Sequence, residues 1–164
     1  MCADRDKELL KLLQQNAKLS NETLAVMLDE KVEWIEDQIA SFEREGIIRG
    51  YSAIVNWDRI DQDRVTAIIE VTVIPQRTVG FDEVARRIYG FPEVEAVLLM
   101  SGTYDLQVVV SGHRIQEVAR FVSERLATID FIQSTTTHFI LKTYKVDGVV
   151  MEGDDDDHRL VISP

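Results

Sequence analysis

Residues 101–105 read Ser-Gly-Thr-Tyr-Asp, and their groups could hold a small charged molecule. Backbone amides left open around Gly102 can cradle a carboxylate. Asp105 can pair with an ammonium, and Tyr104 stands between the two. Thr135, Thr136 and Thr137 add hydroxyls from a later segment. Amides, a carboxylate and hydroxyls are the groups that recognise a free amino acid. The same residues also suit an ordinary hairpin turn in which Gly102 supplies a special backbone angle. Residue types alone leave both readings open.

Nothing else in the chain reads as chemistry. There is no P-loop, no GxGxxG, no nucleophile elbow and no HExxH. With no nucleophile–base pair and no metal-ligand set, neither an enzyme nor a cofactor is expected. Cys2 is the single cysteine, so no internal disulfide can form. His113 and His138 lack ligand partners at helical or hairpin spacing. The run Asp154 to Asp157, followed by His158, lacks the glycine turn and distal glutamate of a calcium loop. It reads as a solvated charge run.

Composition bounds the partners. The chain has 164 residues, 45% hydrophobic and 29% charged, with formal net charge -11. That fits one domain or two small ones. So acidic a surface repels nucleic acid at long range. No apolar run approaches the ~18 residues of a membrane span. The start, MCADRDKELLKLL, lacks a signal-peptide profile, so the expected compartment is the cytoplasm.

The elements that must position these groups follow from periodicity. Leu9, Leu10, Leu12 and Leu13 predict a helix over 4–15. Ser20 is a suitable N-cap for a short second helix carrying Leu24, Ala25 and Leu28. After a tight turn at 29–31, Ile35, Ile39 and Phe42 mark a third helix that Gly46 ends. So short a turn between the last two suggests a helix-turn-helix. "IIRGYSAIVN" alternates as a strand, and "WDRIDQDR" is the best linker. Beyond it the pattern is β-α-β-β-α-β, with helical stripes Phe81/Val84/Ala85/Ile88 and Ile115/Val118/Ala119/Val122/Leu126. The last strand is expected to run through "FIQSTTTHFILKTYK". That order predicts an α+β fold with a ferredoxin-like βαββαβ tail. Helices on one face leave the other face open, and dimerisation is the simplest way to cover it.

A helix-turn-helix (winged-helix-like) head joined to a ferredoxin-like tail resembles the Lrp/AsnC family, the leucine-responsive and asparagine-synthetase regulators. The resemblance covers about residues 4–145. It rests on "REGIIRGYSAIVN", on "SGTYDLQVVV" and on "TTTHFILK". It implies a transcription regulator whose dimers build larger assemblies. It also implies a tail that senses an amino acid, with Gly102, Tyr104, Asp105, Thr135 and Thr137 as effector contacts.

The head keeps the family's core positions but departs on its outer surface. The turn residue, often glycine in the family, is Asp29, and the cap, often serine, is Lys31. Positions usually rich in arginine or lysine hold Glu36, Asp37 and Gln38. Phosphate contacts from Lys and Arg supply most non-specific DNA affinity, so such a helix docks poorly. A thin phosphate clamp remains: Lys31 and Arg49, with Ser20 and Asn21 at a helix N-terminus. Lys18, Arg44 and Arg59 are further bases, though scattered cations also suit an ordinary surface. Trp34 either packs on the first helix or meets a partner.

The expected organisation is a DNA-binding-type head at 1–56, a linker at 57–64, a sensing and oligomerising domain at 65–146, and an acidic tail at 147–164. The expected partners are DNA, a small-molecule effector such as an amino acid, and further copies of the chain, but no membrane. The alternative is a ligand-binding, oligomerising interaction protein whose acidic head has lost direct DNA contact.

Overall fold

Three helices open the chain because their leucines and isoleucines recur on one side of each. The computed structural model describes residues 4–74 and 80–152. The chain divides into two units, Met1–Ala53 and Ile54–Pro164. Cys2 and the acidic run at 154–157 lie outside the described residues.

In the first unit, α1 spans Asp4–Gln15, α2 Asn21–Leu28 and α3 Val32–Arg44. Leu9 and Leu13, four apart on α1, fall on one face and are buried with Leu24, Ala25, Leu28, Ile35 and Phe42. Leu10, Leu12 and Trp34 pack partly against that cluster. The Ser20 hydroxyl caps α2 by accepting a 3.2 Å bond from the Thr23 N–H. Asp29 then turns the chain at φ 52° and ψ 49°. Asp and Asn enter this left-handed region more readily than other side chains, because they can bond locally. The N–H groups of Asp29 and Glu30 both reach the Ala25 carbonyl. The helix-turn-helix elbow is therefore formed.

Gly46, at φ +70°, closes α3, and the N–H groups of Ile47 and Ile48 both bond the Phe42 carbonyl, at 2.8 and 3.1 Å. The strand expected over "IIRGYSAIVN" does not form. Alternation marks two faces, but a strand also needs a neighbour for its backbone, and among the described residues no strand pairs with this segment.

The second unit is the expected split βαβ. Its order is β1 (Val65–Val73), α4 (Phe81–Tyr89), β2 (Val94–Leu99), β3 (Leu106–Gly112), α5 (Ile115–Phe121) and β4 (Ile132–Phe139). The strands lie in the order β2-β3-β1-β4, every pair antiparallel. Ala67, Ile69, Val71 and Val73 alternate inward and bury against Val84 and Ile88 of α4 and Val118 and Phe121 of α5. The opposite face presents Ile68, Glu70, Gln107, Val109 and His138, with His138 Nε2 3.3 Å from Glu70 Oε1.

Two expectations fail here. The stripe predicted for the second tail helix holds at Val118 and Leu126, which are buried, and at Val122, which packs partly against the core, but Ile115 and Ala119 are exposed and Phe121, outside the stripe, is buried. Beyond Phe121 the helix passes into a π turn over Val122–Leu126, in which the Ala127 N–H bonds the carbonyl five residues back, at Val122. A π turn aligns residues five apart, so Leu126 sits beneath Phe121. The last strand is also shorter than predicted. The Ile140 N–H bonds the Thr66 carbonyl, and β1 begins one residue earlier at Val65, so the ladder runs out of partner. The chain then forms a separate hairpin, β5 (Lys145–Val146) and β6 (Val149–Val150). Its turn is Asp147-Gly148, both at positive φ (47° and 85°), which suits a two-residue hairpin loop.

Candidate functional site

The head presents two helix starts near its elbow. Ser20 spends its hydroxyl on the α2 cap. Asn21 reaches across to Glu36 of α3, Nδ2 to Oε1, at 3.4 Å. Lys31 stands at the N-cap of α3, exposed, with no side-chain cap bond, so the first turn of α3 keeps backbone donors for an anion. Gln38 is half-buried, and Trp34 packs against the helical core as well as reaching the surface. Arg49 folds back over Gly46, where a Cβ would stand 2.9 Å from the guanidinium.

The outer side of α3 is acidic. Glu33, Glu36, Asp37 and Glu43 are all exposed. Glu43 is engaged by the Tyr51 hydroxyl at 2.9 Å, and Glu30 by Arg5. Partial burial, and then that bond and the charge of Glu43, push the Tyr51 phenol above its ordinary range. At the start of α2, backbone N–H bonding and then the Ser20 hydroxyl hold the Glu22 carboxyl below its ordinary range.

The loop at 101–105 joins β2 to β3. Gly102 has no left-handed φ, and a Cβ there would meet nothing within 4 Å. The expected special backbone angle is absent, so the chain's own geometry does not require glycine at this point. The loop is instead held by Asp105. Its Oδ2 accepts from the Val73 N–H at 2.8 Å, and its own N–H donates to the Val71 carbonyl at 3.0 Å. The Met100 N–H bonds the Asp105 carbonyl at 2.8 Å. Asp105 thus staples the loop to the end of β1. Tyr104 donates its hydroxyl to Gln107 Oε1 at 3.1 Å, on the helix-free face.

Thr135 and Thr137 pair with Val71 and Ile69, so their side chains lie on the helix-bearing face, on edge strand β4. β1 separates them from the loop. Within one copy, the five expected effector residues therefore form two groups flanking β1, not one cluster.

A cleft that spacing could not reveal opens at the other end of β3. It has a volume of about 490 Å³, with Val110, Val118 and Phe121 among its lining residues. Glu93, Arg120 and Arg125 also line it. They come from separate elements, and the π turn displaces Arg125 from the helical stripe, so no sequence spacing brought them together. Among the described residues, no group of three or more His, Cys, Asp or Glu is placed to hold a metal. No helix of the described residues is long and apolar enough to cross a membrane.

The profile of the Lrp/AsnC ligand binding domain matches residues 66–150, from the second residue of β1 through both helices of the tail to the final hairpin. The chain belongs to the Lrp/AsnC family. It is similar along nearly its full length to YugG, an uncharacterised HTH-type transcriptional regulator of Bacillus subtilis (strain 168). The two are 51% identical over 162 residues, which is 98% of each chain. Two solved structures share the fold. The leucine response regulatory protein LrpA of Mycobacterium tuberculosis has a TM-score of 0.75 at 20% identity, over 92% of this chain and 100% of that one. The transcriptional regulator NMB0573 of Neisseria meningitidis, solved in complex with L-Met, has a TM-score of 0.71 at 21% identity, over 89% and 94%.

Proposed function

We propose that this Lrp/AsnC protein is a cytoplasmic DNA-binding transcription regulator and not an enzyme. The head, residues 1–56, docks on DNA. The segment 57–64 links it to a tail, residues 65–146, that assembles copies of the chain and senses an amino acid. The observation that carries this reading is the pairing of a formed helix-turn-helix elbow with a tail matching the family's ligand-binding domain. The L-Met held by the Neisseria meningitidis protein supports an amino acid as effector class. The open sheet face, with Ile68 and Val109, is the surface for a second copy.

On DNA, Lys31 and Arg49 serve as phosphate contacts, with Ser20, Asn21, Trp34 and Gln38 around the elbow. The carboxylates of Glu36 and Asp37 oppose the duplex, so binding is weak and steeply salt-dependent. In the tail, the amides around Gly102 and the Tyr104 phenol face the effector, while Thr135 and Thr137 serve a neighbouring copy's site.

A gel shift at low salt on the protein's own upstream DNA tests the head. Retardation is expected, and its loss with Lys31→Ala and Arg49→Ala supports the clamp. The pair Glu36→Arg and Asp37→Arg is expected to tighten binding roughly tenfold by relieving phosphate repulsion. No retardation at micromolar protein with assembly intact would replace this reading with that of an interaction module. Thermal shifts across the twenty amino acids test the tail, and indifference to all of them removes the sensing role.

A further inference from the structure

We propose that Glu33 is a base-reading residue of the head and that it selects a cytosine in the major groove. The inference rests on the head docking on DNA, and it concerns which base pair is chosen rather than whether DNA is bound.

Helical geometry singles the residue out. Ile35, Ile39 and Phe42 turn one side of α3 into the core. At 3.6 residues per turn the opposite side is Glu33, Asp37, Ala40 and Arg44, and all four are exposed. Two other acids of the helix lie off this stripe and are engaged. Glu36 accepts from Asn21 Nδ2 at 3.4 Å, and Glu43 from the Tyr51 hydroxyl at 2.9 Å. Glu33 and Asp37 make no hydrogen bond or ion pair among the described residues, so their acceptor oxygens are free.

Position along the helix separates those two. In a helix-turn-helix the N-terminal residues of the second helix reach the base edges. Glu33 lies in the first turn of α3. Asp37 lies one turn later, about 6 Å along the axis, and its side chain is a methylene shorter. It ends short of the bases, and its charge opposes the phosphates. Ala40 carries no side chain that would hold α3 off the groove.

The base follows from the chemistry of a carboxylate, which only accepts. Guanine presents N7 and O6, both acceptors, and thymine presents O4 beside a methyl group. Adenine offers its N6 amine, but the N7 acceptor stands next to it. Cytosine offers the N4 amine with no acceptor on its own groove edge. Glu33 thus chooses by exclusion, because a wrong pair leaves its charge desolvated and unmatched. Discrimination of this kind needs no tight binding, and that suits a helix whose other carboxylates repel the duplex.

The test is selection from random duplex DNA at low salt by the full chain, repeated with Glu33→Gln and Glu33→Ala. The natural chain is expected to enrich a site with a cytosine position at which the other bases bind about tenfold more weakly. Glu33→Gln is expected to move that position to adenine, since an amide both donates and accepts and matches N7 and N6. Glu33→Ala is expected to lose the preference there, to within about twofold, and to keep the rest of the site. In the natural chain's site, replacing that cytosine by 2-pyrimidinone, which lacks the N4 amine, is expected to weaken binding about tenfold, with Glu33→Ala indifferent to the change. An identical site from all three selections would overturn this inference and leave the DNA-binding head standing. Loss of all DNA by Glu33→Ala would overturn it as well, since discrimination and not docking is assigned to this residue. Recovery of no DNA by the natural chain, with assembly intact, would remove this inference together with the reading of the head.

Discussion

In the head, what faces inward and what faces outward are independent. Leu24, Ile35 and Phe42 close the space between three helices, and the outer side of α3 carries Glu33 and Asp37 with no bond to anything among the described residues. The tail is built otherwise. The loop at 101–105 is anchored by a polar side chain, Asp105, that also bonds the end of β1, one of the two inner strands of the sheet. The comparison teaches that surface chemistry can be rewritten in the head at little cost to the fold. In the tail, rewriting the loop disturbs the frame. An acidic recognition helix that keeps its shape is the visible result of the first situation.

The largest effect should come from the two cores, which are equal in this respect. Ile35→Ala in the head and Ile69→Ala in the tail remove side chains that are 0% exposed. Each is expected to cost about 3 kcal/mol by lost burial and cavity formation, read from chemical denaturation. Asp105→Ala comes next, at about 2 kcal/mol, because it strips the Val73 N–H of its acceptor. Asp37→Ala, its counterpart on the head surface, should stay within about 0.5 kcal/mol. If the two aspartate variants cost the same, the contrast between the units fails.

Ser20→Ala sharpens the rule by exception. Ser20 is exposed yet caps α2, and its loss should cost about 1 kcal/mol of head stability. The smallest effect is the Tyr51 titration. Its folded-state value is raised, so any stability it lends is present below the ordinary phenol range and lost as pH rises through the folded value. Absorbance at the phenolate band should titrate above about pH 10. Glu43→Gln should bring it only part of the way back, since burial is the larger cause.

Most of the architecture was legible because its signals are local. The Leu9/Leu13 spacing, the Ser20 cap and the inward alternation of Leu106, Val108 and Val110 each name an element from a few neighbouring residues. What escaped depends on partners distant in the chain. Alternation over 47–55 could not say that no strand would pair with it, nor could the threonine-rich strand say that β1 begins at Val65. Asp147-Gly148 is a local hairpin signal, but the strands it joins are only two residues each, too short for alternation to mark them. At the candidate effector site, residue types suggested a ligand contact for Asp105. Its bond to Val73 crosses thirty-two residues and was invisible until the sheet closed.

A π turn is, in arithmetic, an α-helix that has accommodated one additional residue. Val122–Leu126 is such a place, with Phe121 and Leu126 buried on either side of the surplus. Deleting Ser123 would leave phenylalanine and leucine four positions apart, the ordinary α spacing, so both would still point inward. The helix could be shortened without unthreading the hydrophobic interior, and the toll would fall on where Glu124 and Arg125 stand. Chain length at this point is therefore a dial that adjusts the pocket wall while the scaffold stays put.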